Sequence, residues 1–438
     1  MNKAVQWKLF LMMVLEFFIW GAWLPLIFSY LPSLGFSQWQ RIAILDAFPI
    51  ASIIGMFFSN QFADRNFSAE KFLAFSQFIG GLAMLGMGFT RDFWPFFMCM
   101  SVHCLLYVPT LSIVNSITFA NLKDPKQFGL VRMGGTIGWI LAAWPFTFIF
   151  IDWAKVNAAH PAGFVNWLYT ALGNGLTGKA LQDQTRWVFI VAGVASLLLA
   201  AFSFALPHTP PKKVEKGTAN EFAWQEALRL LSKPFVLVLW LVTFADAFVH
   251  NCFFNWTGSF LSSAQVGIAG NWVMPIMSIG QVAEISTMAV LGLALKHLGW
   301  RTTMIFGICG HLARFLVFAF FPQVTWLIVA VNILHGICYA FFFAAVYIFV
   351  DEHFPSDARA SAQGLFNLMI LGLGVIAANS LGQVLQDAFT HNGVTDFHTL
   401  FLVPAGVALG AIVAMALFFH PPDRGTEPAA VAAEPARA

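Results

Sequence analysis

Charged residues are scarce in this sequence: Asp, Glu, Lys and Arg together make up 10% of its 438 residues. A soluble chain carries charge on about a quarter of its residues. Hydrophobic residues make up 59% of this chain and its mean hydropathy is +0.74, which leaves too little polar surface for a water-soluble globule. The composition excludes a soluble enzyme and a disordered scaffold, and it predicts an all-α polytopic membrane protein.

Motifs for catalysis, metal binding and nucleic-acid binding are also missing. The cysteines lie far apart inside apolar stretches, so their spacing fits neither a disulfide framework nor a zinc site. The chain has no Walker A loop for ATP and no His-Glu-x-x-His motif. Its net charge of +2 provides no strong field for a nucleic acid. We therefore predict a protein that is not an enzyme and has no metal or cofactor.

Apolar segments long enough to cross a bilayer core of about 30 Å occur twelve times. They cover residues 9–30, 41–63, 70–89, 93–120, 130–151, 186–206, 234–257, 270–295, 302–321, 324–349, 361–385 and 398–419. A polar stretch divides them into six and six. We expect an N-terminal six-helix half at 1–206, a central cytoplasmic loop at 207–233, a C-terminal six-helix half at 234–420 and a disordered tail at 421–438.

The basic residues predict how the chain lies in the membrane. Seventeen of the 23 Lys and Arg residues fall on the side of the N-terminus, five fall on the other side, and Arg314 lies inside the ninth span. Cytoplasmic loops carry the excess of basic residues. Both termini are therefore expected in the cytoplasm, in a multi-pass protein of the cell inner membrane whose first span is not cleaved.

Similar motifs recur in the two halves. His103-Cys-Leu-Leu-Tyr107 in the fourth span matches His335-Gly-Ile-Cys-Tyr339 in the tenth, and each is followed by an Arg that opens the next span. Two matching six-span halves predict the major facilitator architecture. In that architecture the substrate binds near the membrane midplane between the halves, and rocking of one half on the other gives alternating access.

Polar residues inside spans seven and eight are candidate functional residues, since a charge in hydrocarbon needs a partner or a water-filled cavity. Gln281 and Glu284 are three residues apart and share a helix face. That face either lines a cavity or bonds to another helix. Asp246 and His250 are four residues apart and could pair with each other.

Three further ionisable residues lie within other spans. Glu16 in span one either lines the cavity or is structural, and Asp46 near the end of span two could reach interfacial water. Arg314 either pairs inside the bundle or extends to the membrane surface.

Several segments resemble the nucleoside:H⁺ symporter family of the major facilitator superfamily, the bacterial nucleoside permeases. The most specific segments are Met277 through Glu284 and Arg359 through Gly364, and the resemblance extends over nearly the whole chain. It implies a monomeric transporter in the lipid bilayer that imports nucleosides with protons. A facilitator or symporter of sugars or another small polar metabolite stays open as an alternative, and so does a non-transporting membrane sensor.

The resemblance also implies a set of substrate-binding residues. They are Arg132, Thr136, Trp139, Asn251, Gln281, Glu284, His335 and Tyr339. Ala340 stands where the family has an acid in span ten, and Phe248 where it has a Gln. With that acid missing, we expect Glu284 to be the main proton-coupling residue and Glu16 to be a second one.

Overall fold

The computed structural model describes residues 3–55, 67–122, 128–211, 229, 231–354 and 359–421, and for 359–361 the backbone alone. Most of the predicted central loop and tail lies outside these residues. So do eight of the basic residues used to predict the orientation, namely Arg65, Lys123, Lys126, Lys212, Lys213, Lys216, Arg424 and Arg437, and the side chain of Arg359 is not described either.

Six long helices form the N-terminal half. They are α1 (Lys3–Ser33), α2 (Gln38–Ile54), α3 (Ala69–Phe89), α4 (Phe93–Asn121), α5 (Phe128–Ile149) and α6 (Trp187–Ser203). Three short helices lie between α5 and α6, at Trp153–Ala158, Gly163–Gly173 and Gly178–Gln184.

The C-terminal half begins with α7 (Pro234–Leu261), which is followed by a continuous helical stretch at Gly270–Phe320. Gly299, with φ at 74°, breaks this stretch into α8 (270–298) and α9 (300–320). A positive φ is easily adopted only by glycine, so this residue permits the turn between two spans. The half continues with α10 (Thr325–His353), α11 (Arg359–Asn367, Leu368–Leu373 and Gly374–Ala388) and α12 (Phe397–Phe418).

Several irregular features occur in this half, including a 3-10 turn at Val331–Ile333 within α10. Helices α10 and α11 each contain a π-helical segment, at Tyr339–Ala344 and Leu368–Leu373. A small antiparallel hairpin, Thr390–His391 with Val394–Thr395, connects α11 to α12. Asn392 and Gly393 have φ of 52° and 77°, the positive pair that a tight two-residue hairpin turn requires.

The twelve predicted spans are confirmed. Among the described residues, nine helical stretches are long and apolar enough to cross a bilayer. One of them, Gly270–Phe320, contains two spans, and α2 and α5 complete the set. Large apolar side chains are exposed on outward faces, including Phe78, Leu82 and Leu293, as contact with lipid requires.

The two halves repeat the same packing. Helix α1 contacts α5 and α6, and α7 correspondingly contacts α11 and α12. The halves meet along α1 and α7, along α2 and α11, and along α5 and α8.

Glycines bring α1 and α5 into backbone contact. A Cβ atom on Gly138 would lie 2.0 Å from the carbonyl oxygen of Val14, and one on Gly134 would lie 2.7 Å from that of Phe10. Any larger residue at these positions would push the two helices apart.

Candidate substrate cleft

The two halves are joined at the end of the molecule that carries the short helices. Arg41 on α2 forms an ion pair with Asp387 on α11, and Gln38 Nε2 donates to the same carboxylate at 2.9 Å. Nearby, Trp272 Nε1 and Asn271 Nδ2 both donate to the carbonyl oxygen of Leu172, at 2.9 and 3.1 Å. These bonds close this end of the interface.

A narrow cleft lies between the halves below that closed end. Its walls are formed by Gly21, Pro25, Trp139, Ala143, Phe254, Met274, Met277, Ser278 and Gln281. The structure thus brings together Trp139 and Gln281, two of the predicted binding residues. Ring contacts cross the interface here, since the rings of Trp139 and Phe254 lie 6.1 Å apart.

Arg132 lies two turns along α5 from Trp139. Its guanidinium stacks over the Phe17 ring at 4.2 Å, and its charge acts on Glu284 of α8 and Tyr339 of α10. Arg132, Glu284 and Tyr339 are all half-buried, as is Thr136 one turn from Arg132. The structure therefore places a cation on one half opposite an acid and a phenol on the other.

Asn251 and His335 have other hydrogen-bond partners. Asn251 is half-buried, and its amide donates to the carbonyl oxygen of Ala247 on its own helix at 2.8 Å. His335 is only 2% exposed, and its Nδ1 atom lies 3.0 Å from Arg314 Nη1. In this conformation His335 lies behind the cleft wall.

Glu16 does not line the cleft, contrary to one of the two sequence interpretations, because it is fully buried inside the N-terminal half. Gln77 Nε2 donates to its Oε2 at 2.9 Å, and Thr110 Oγ1 lies 2.6 Å from its Oε1. Ser196 in turn donates to Gln77 Oε1 at 2.6 Å. The residue closes a polar network that joins α1, α3, α4 and α6.

The hydrogen count of this network indicates a protonated Glu16. Thr110 Oγ1 is also 2.5 Å from the carbonyl oxygen of Tyr107, which can only accept. A hydroxyl has one hydrogen, so it cannot donate to both oxygens. Both short contacts are satisfied when Glu16 donates to Thr110 and Thr110 donates to Tyr107.

The predicted pairing of Asp246 with His250 is wrong. Among the described residues, the side chain within ion-pair distance of Asp246 is that of His311, whose Nε2 lies 3.6 Å from Asp246 Oδ2. The His250 ring instead stacks on His335 with 4.8 Å between ring centroids. Spacing along one helix places two residues on a face, but the packing of α9 and α10 decides which side chains meet.

The other two ionisable residues, Asp46 and Arg314, form hydrogen bonds inside the protein. Asp46 is 7% exposed and accepts hydrogen bonds from Asn379 and Ser380 of the other half, at 3.1 and 3.0 Å, so it does not depend on interfacial water. Arg314 is fully buried and pairs inside the bundle, which settles its two alternatives.

Sequence reasoning missed the apolar part of the cleft. Phe254, Met274 and Met277 carry no chemical signature in an apolar sequence. Ser278 alone could have been found, because it lies one turn before Gln281 on the same face of α8.

Comparisons with known proteins agree with this geometry. A family model described as nucleoside H⁺ symporter matches residues 1–166 and 161–424. The xanthosine permease of Escherichia coli (strain K12) is 26% identical, and the match covers 96% of this chain and 98% of that protein. Nucleoside permease NupG of the same organism is also 26% identical, with 95% and 96% covered.

Solved structures share the fold. The crystal structure of NupG superposes with a TM-score of 0.77 at 23% identity and covers 96% of this chain and 100% of that chain. The D-xylose-proton symporter superposes with a TM-score of 0.66 at 16% identity, covering 95% and 98%. These likenesses confirm the major facilitator architecture.

Proposed function

Because the chain belongs to the nucleoside H⁺ symporter family, whose members are membrane transporters and not enzymes, we propose that it imports nucleosides across the inner membrane by proton symport. The cleft between the halves is the proposed substrate site. Arg132, Thr136, Asn251, Gln281, Glu284 and Tyr339 are the proposed polar contacts, with His335 joining them when the wall rearranges.

The observation that carries this proposal is the combination of rings and polar groups in the cleft. A nucleoside has a flat base with a polar edge and a ribose with hydroxyl groups. Trp139 and Phe254 offer aromatic faces from opposite halves, and Gln281 lines the same cleft. Aromatic faces favour a flat ring, and an amide can both donate to and accept from a base edge.

Glu284 is the proposed main proton carrier. It follows the cleft residue Gln281 by three positions on α8, and it lies within the electrostatic reach of Arg132. A protonated Glu284 can donate a hydrogen bond to the substrate, and it reduces the charge that must move past the low-dielectric closed end. Glu16, within its network in the other half, is the proposed second acid.

The described contacts support an inward-open conformation. The Arg41–Asp387 ion pair and the hydrogen bonds from α8 to Leu172 lie at the same end of the protein. The distribution of basic residues predicts that this end is outside the cell. Alternating access would break these bonds and form others at the cytoplasmic end.

Labelled uridine and adenosine test the proposal in proteoliposomes with and without an inward proton gradient. We expect binding, and accumulation only with the gradient. Uptake that ignores the gradient would indicate a facilitator. Competition by hexoses without nucleoside binding would indicate a sugar carrier, and binding without accumulation or exchange would indicate a sensor.

A further inference from the structure

Five ionisable side chains lie together inside the C-terminal half, behind the cleft wall. Asp246 and His250 come from α7, His311 and Arg314 from α9, and His335 from α10. Asp246, His311 and Arg314 are completely buried. We call these five residues the histidine cluster.

Arg314 fixes the protonation of two of the histidines. Its Nη2 lies 2.9 Å from His311 Nδ1, and its Nη1 lies 3.0 Å from His335 Nδ1. A guanidinium group only donates, so both Nδ1 atoms accept and each ring carries its hydrogen on Nε2. Neither ring can gain a second proton unless Arg314 moves away.

The Asp246 carboxylate makes no hydrogen bond to any described residue. Both of its carboxylate oxygens are buried, and neither has a hydrogen-bond partner among the described residues. The titratable and charged groups around it are His250 on its own helix, His311 and Arg314 on α9, and the Cys338 thiol on α10. The Asp246 anion therefore depends for compensation on Arg314, with the neutral His311 ring between them.

His250 connects Asp246 to the cleft. It is half-buried, and its ring lies 5.5 Å from that of Phe254, which lines the cleft. Its Nδ1 atom is buried and has no hydrogen-bond partner among the described residues. Asp246 is one turn away on the same helix face. The two side chains do not pair in this conformation, so a relay requires the His250 ring to turn toward Asp246. An imidazole can take a proton on one ring nitrogen and release one from the other.

We propose that Asp246 binds a proton during transport, that His250 passes it from the cleft, and that Arg314 and His335 carry the effect back to the substrate site. This inference rests on the proton symport proposed above. The proton leaves cleft water and ends on a carboxylate oxygen, and no other bond is made or broken. Arg314 then loses its counter-charge inside a low-dielectric interior, which is unfavourable. A shift of Arg314 relieves this state and frees His335, which changes the wall of the cleft.

Transport of labelled uridine by the full-length protein in proteoliposomes tests the inference. Asp246→Asn keeps the shape of the side chain but cannot bind the proton. We expect it to retain exchange between equal uridine pools and to lose accumulation driven by an inward proton gradient. Accumulation at the wild-type level would overturn the proposal.

A second variant covers the chance that an unpaired Arg314 unfolds the single mutant. The double change Asp246→Asn with Arg314→Gln removes both charges together, so no unpaired charge stays buried. We expect the uridine affinity of this protein to change less between acidic and neutral pH than that of the wild type, which changes by about tenfold, because only the contribution of Glu284 is left. A pH dependence equal to that of the wild type or retained accumulation would overturn the proposal, and so would loss of folding in both variants, which would make the cluster structural.

Asp396→Asn is the matched control, because Asp396 is a carboxylate that caps α12 outside the spans and bonds to Thr399. It should leave gradient-driven accumulation unchanged. Wild-type uptake that ignores the proton gradient would contradict the proposed symport itself, an outcome distinct from a coupled wild type with an unaffected Asp246→Asn.

Discussion

The Arg41 guanidinium of α2 and the Asp387 carboxylate of α11 form an ion pair between the two halves. Arg41 is largely buried, whereas the Asp387 side chain is 39% exposed, so water reaches one side of the pair. Lower on the same helices, Asp46 accepts from Asn379 and Ser380. Helices α2 and α11 are therefore held together by two sets of polar contacts, and opening this end requires both sets to break.

Breaking the Arg41–Asp387 ion pair should favour the conformation that is open at this end of the protein. Asp387→Asn or Arg41→Gln removes a half-exposed ion pair of about 1 kcal/mol, which corresponds to roughly a fivefold change in the population ratio. Spin labels at the exposed positions Phe164 and Val394, one on each half, should report a longer distance.

Asp183→Asn is the control for that measurement. Asp183 pairs with Arg91 and Lys179 at the same end but within one half. It should leave the distance distribution unchanged, and an equal shift in this control would assign the effect to surface charge.

The cleft residues should contribute directly to nucleoside affinity. Arg132→Ala and Gln281→Ala each remove a hydrogen-bonding group from a partly desolvated site, at a cost of about 1–3 kcal/mol. Uridine affinity should fall roughly five- to 100-fold in each variant, measured by equilibrium binding to the purified protein. Arg301→Ala, an exposed arginine at the turn between α8 and α9, should bind normally. Normal binding by both cleft variants would make these residues structural.

Glu284 should be needed for coupling. Glu284→Gln imitates the protonated side chain, so uridine exchange should persist while accumulation driven by the proton gradient is lost. The matched change Glu16→Gln should impair coupling less, because Glu16 is enclosed in its own network. If Glu284→Gln still concentrates uridine, the coupling proton binds elsewhere, and the histidine cluster is the next site to test.

The Glu16 network should tolerate an amide better than an apolar side chain. Gln at position 16 can donate to Thr110 as a protonated Glu does, so Glu16→Gln should melt near the wild-type temperature. Glu16→Ala should destabilise the protein by about 1–3 kcal/mol, since buried Gln77 and Thr110 lose their partner. Thermal melts in detergent compare the two variants. Equal destabilisation by both would indicate that Glu16 is ionised.

The orientation in the membrane can be measured directly. A reporter fused after Ala438 or within 212–220 should be cytoplasmic, and a tag within 160–180 should be accessible from outside, because basic residues concentrate on the first side. The reverse pattern would invert the proposed inward-open assignment.

The spans could be predicted from the sequence because membrane thickness fixes the length of an apolar helix. The family resemblance was enough to place Trp139 and Gln281 in the cleft. The partners of the buried charges could not be predicted. Asp246 meets His311, 65 residues away, because α7 and α9 are rotated toward each other, and helix rotation depends on packing across the whole bundle. The two interpretations of Glu16, cavity or structural, stayed open for the same reason, since its partners lie on three other helices.

The glycine contacts between α1 and α5 have a mechanical consequence. From Phe10 to Gly21 the two backbones touch over about 16 Å, so we expect α1 and α5 to move as one unit. Farther along α1, the carbonyl oxygen of Pro25 would lie 3.0 Å from a Cβ on Gly258 of the opposite half. A ligand that displaces Arg132 or Trp139 should therefore also displace α1 at the point where it contacts α7.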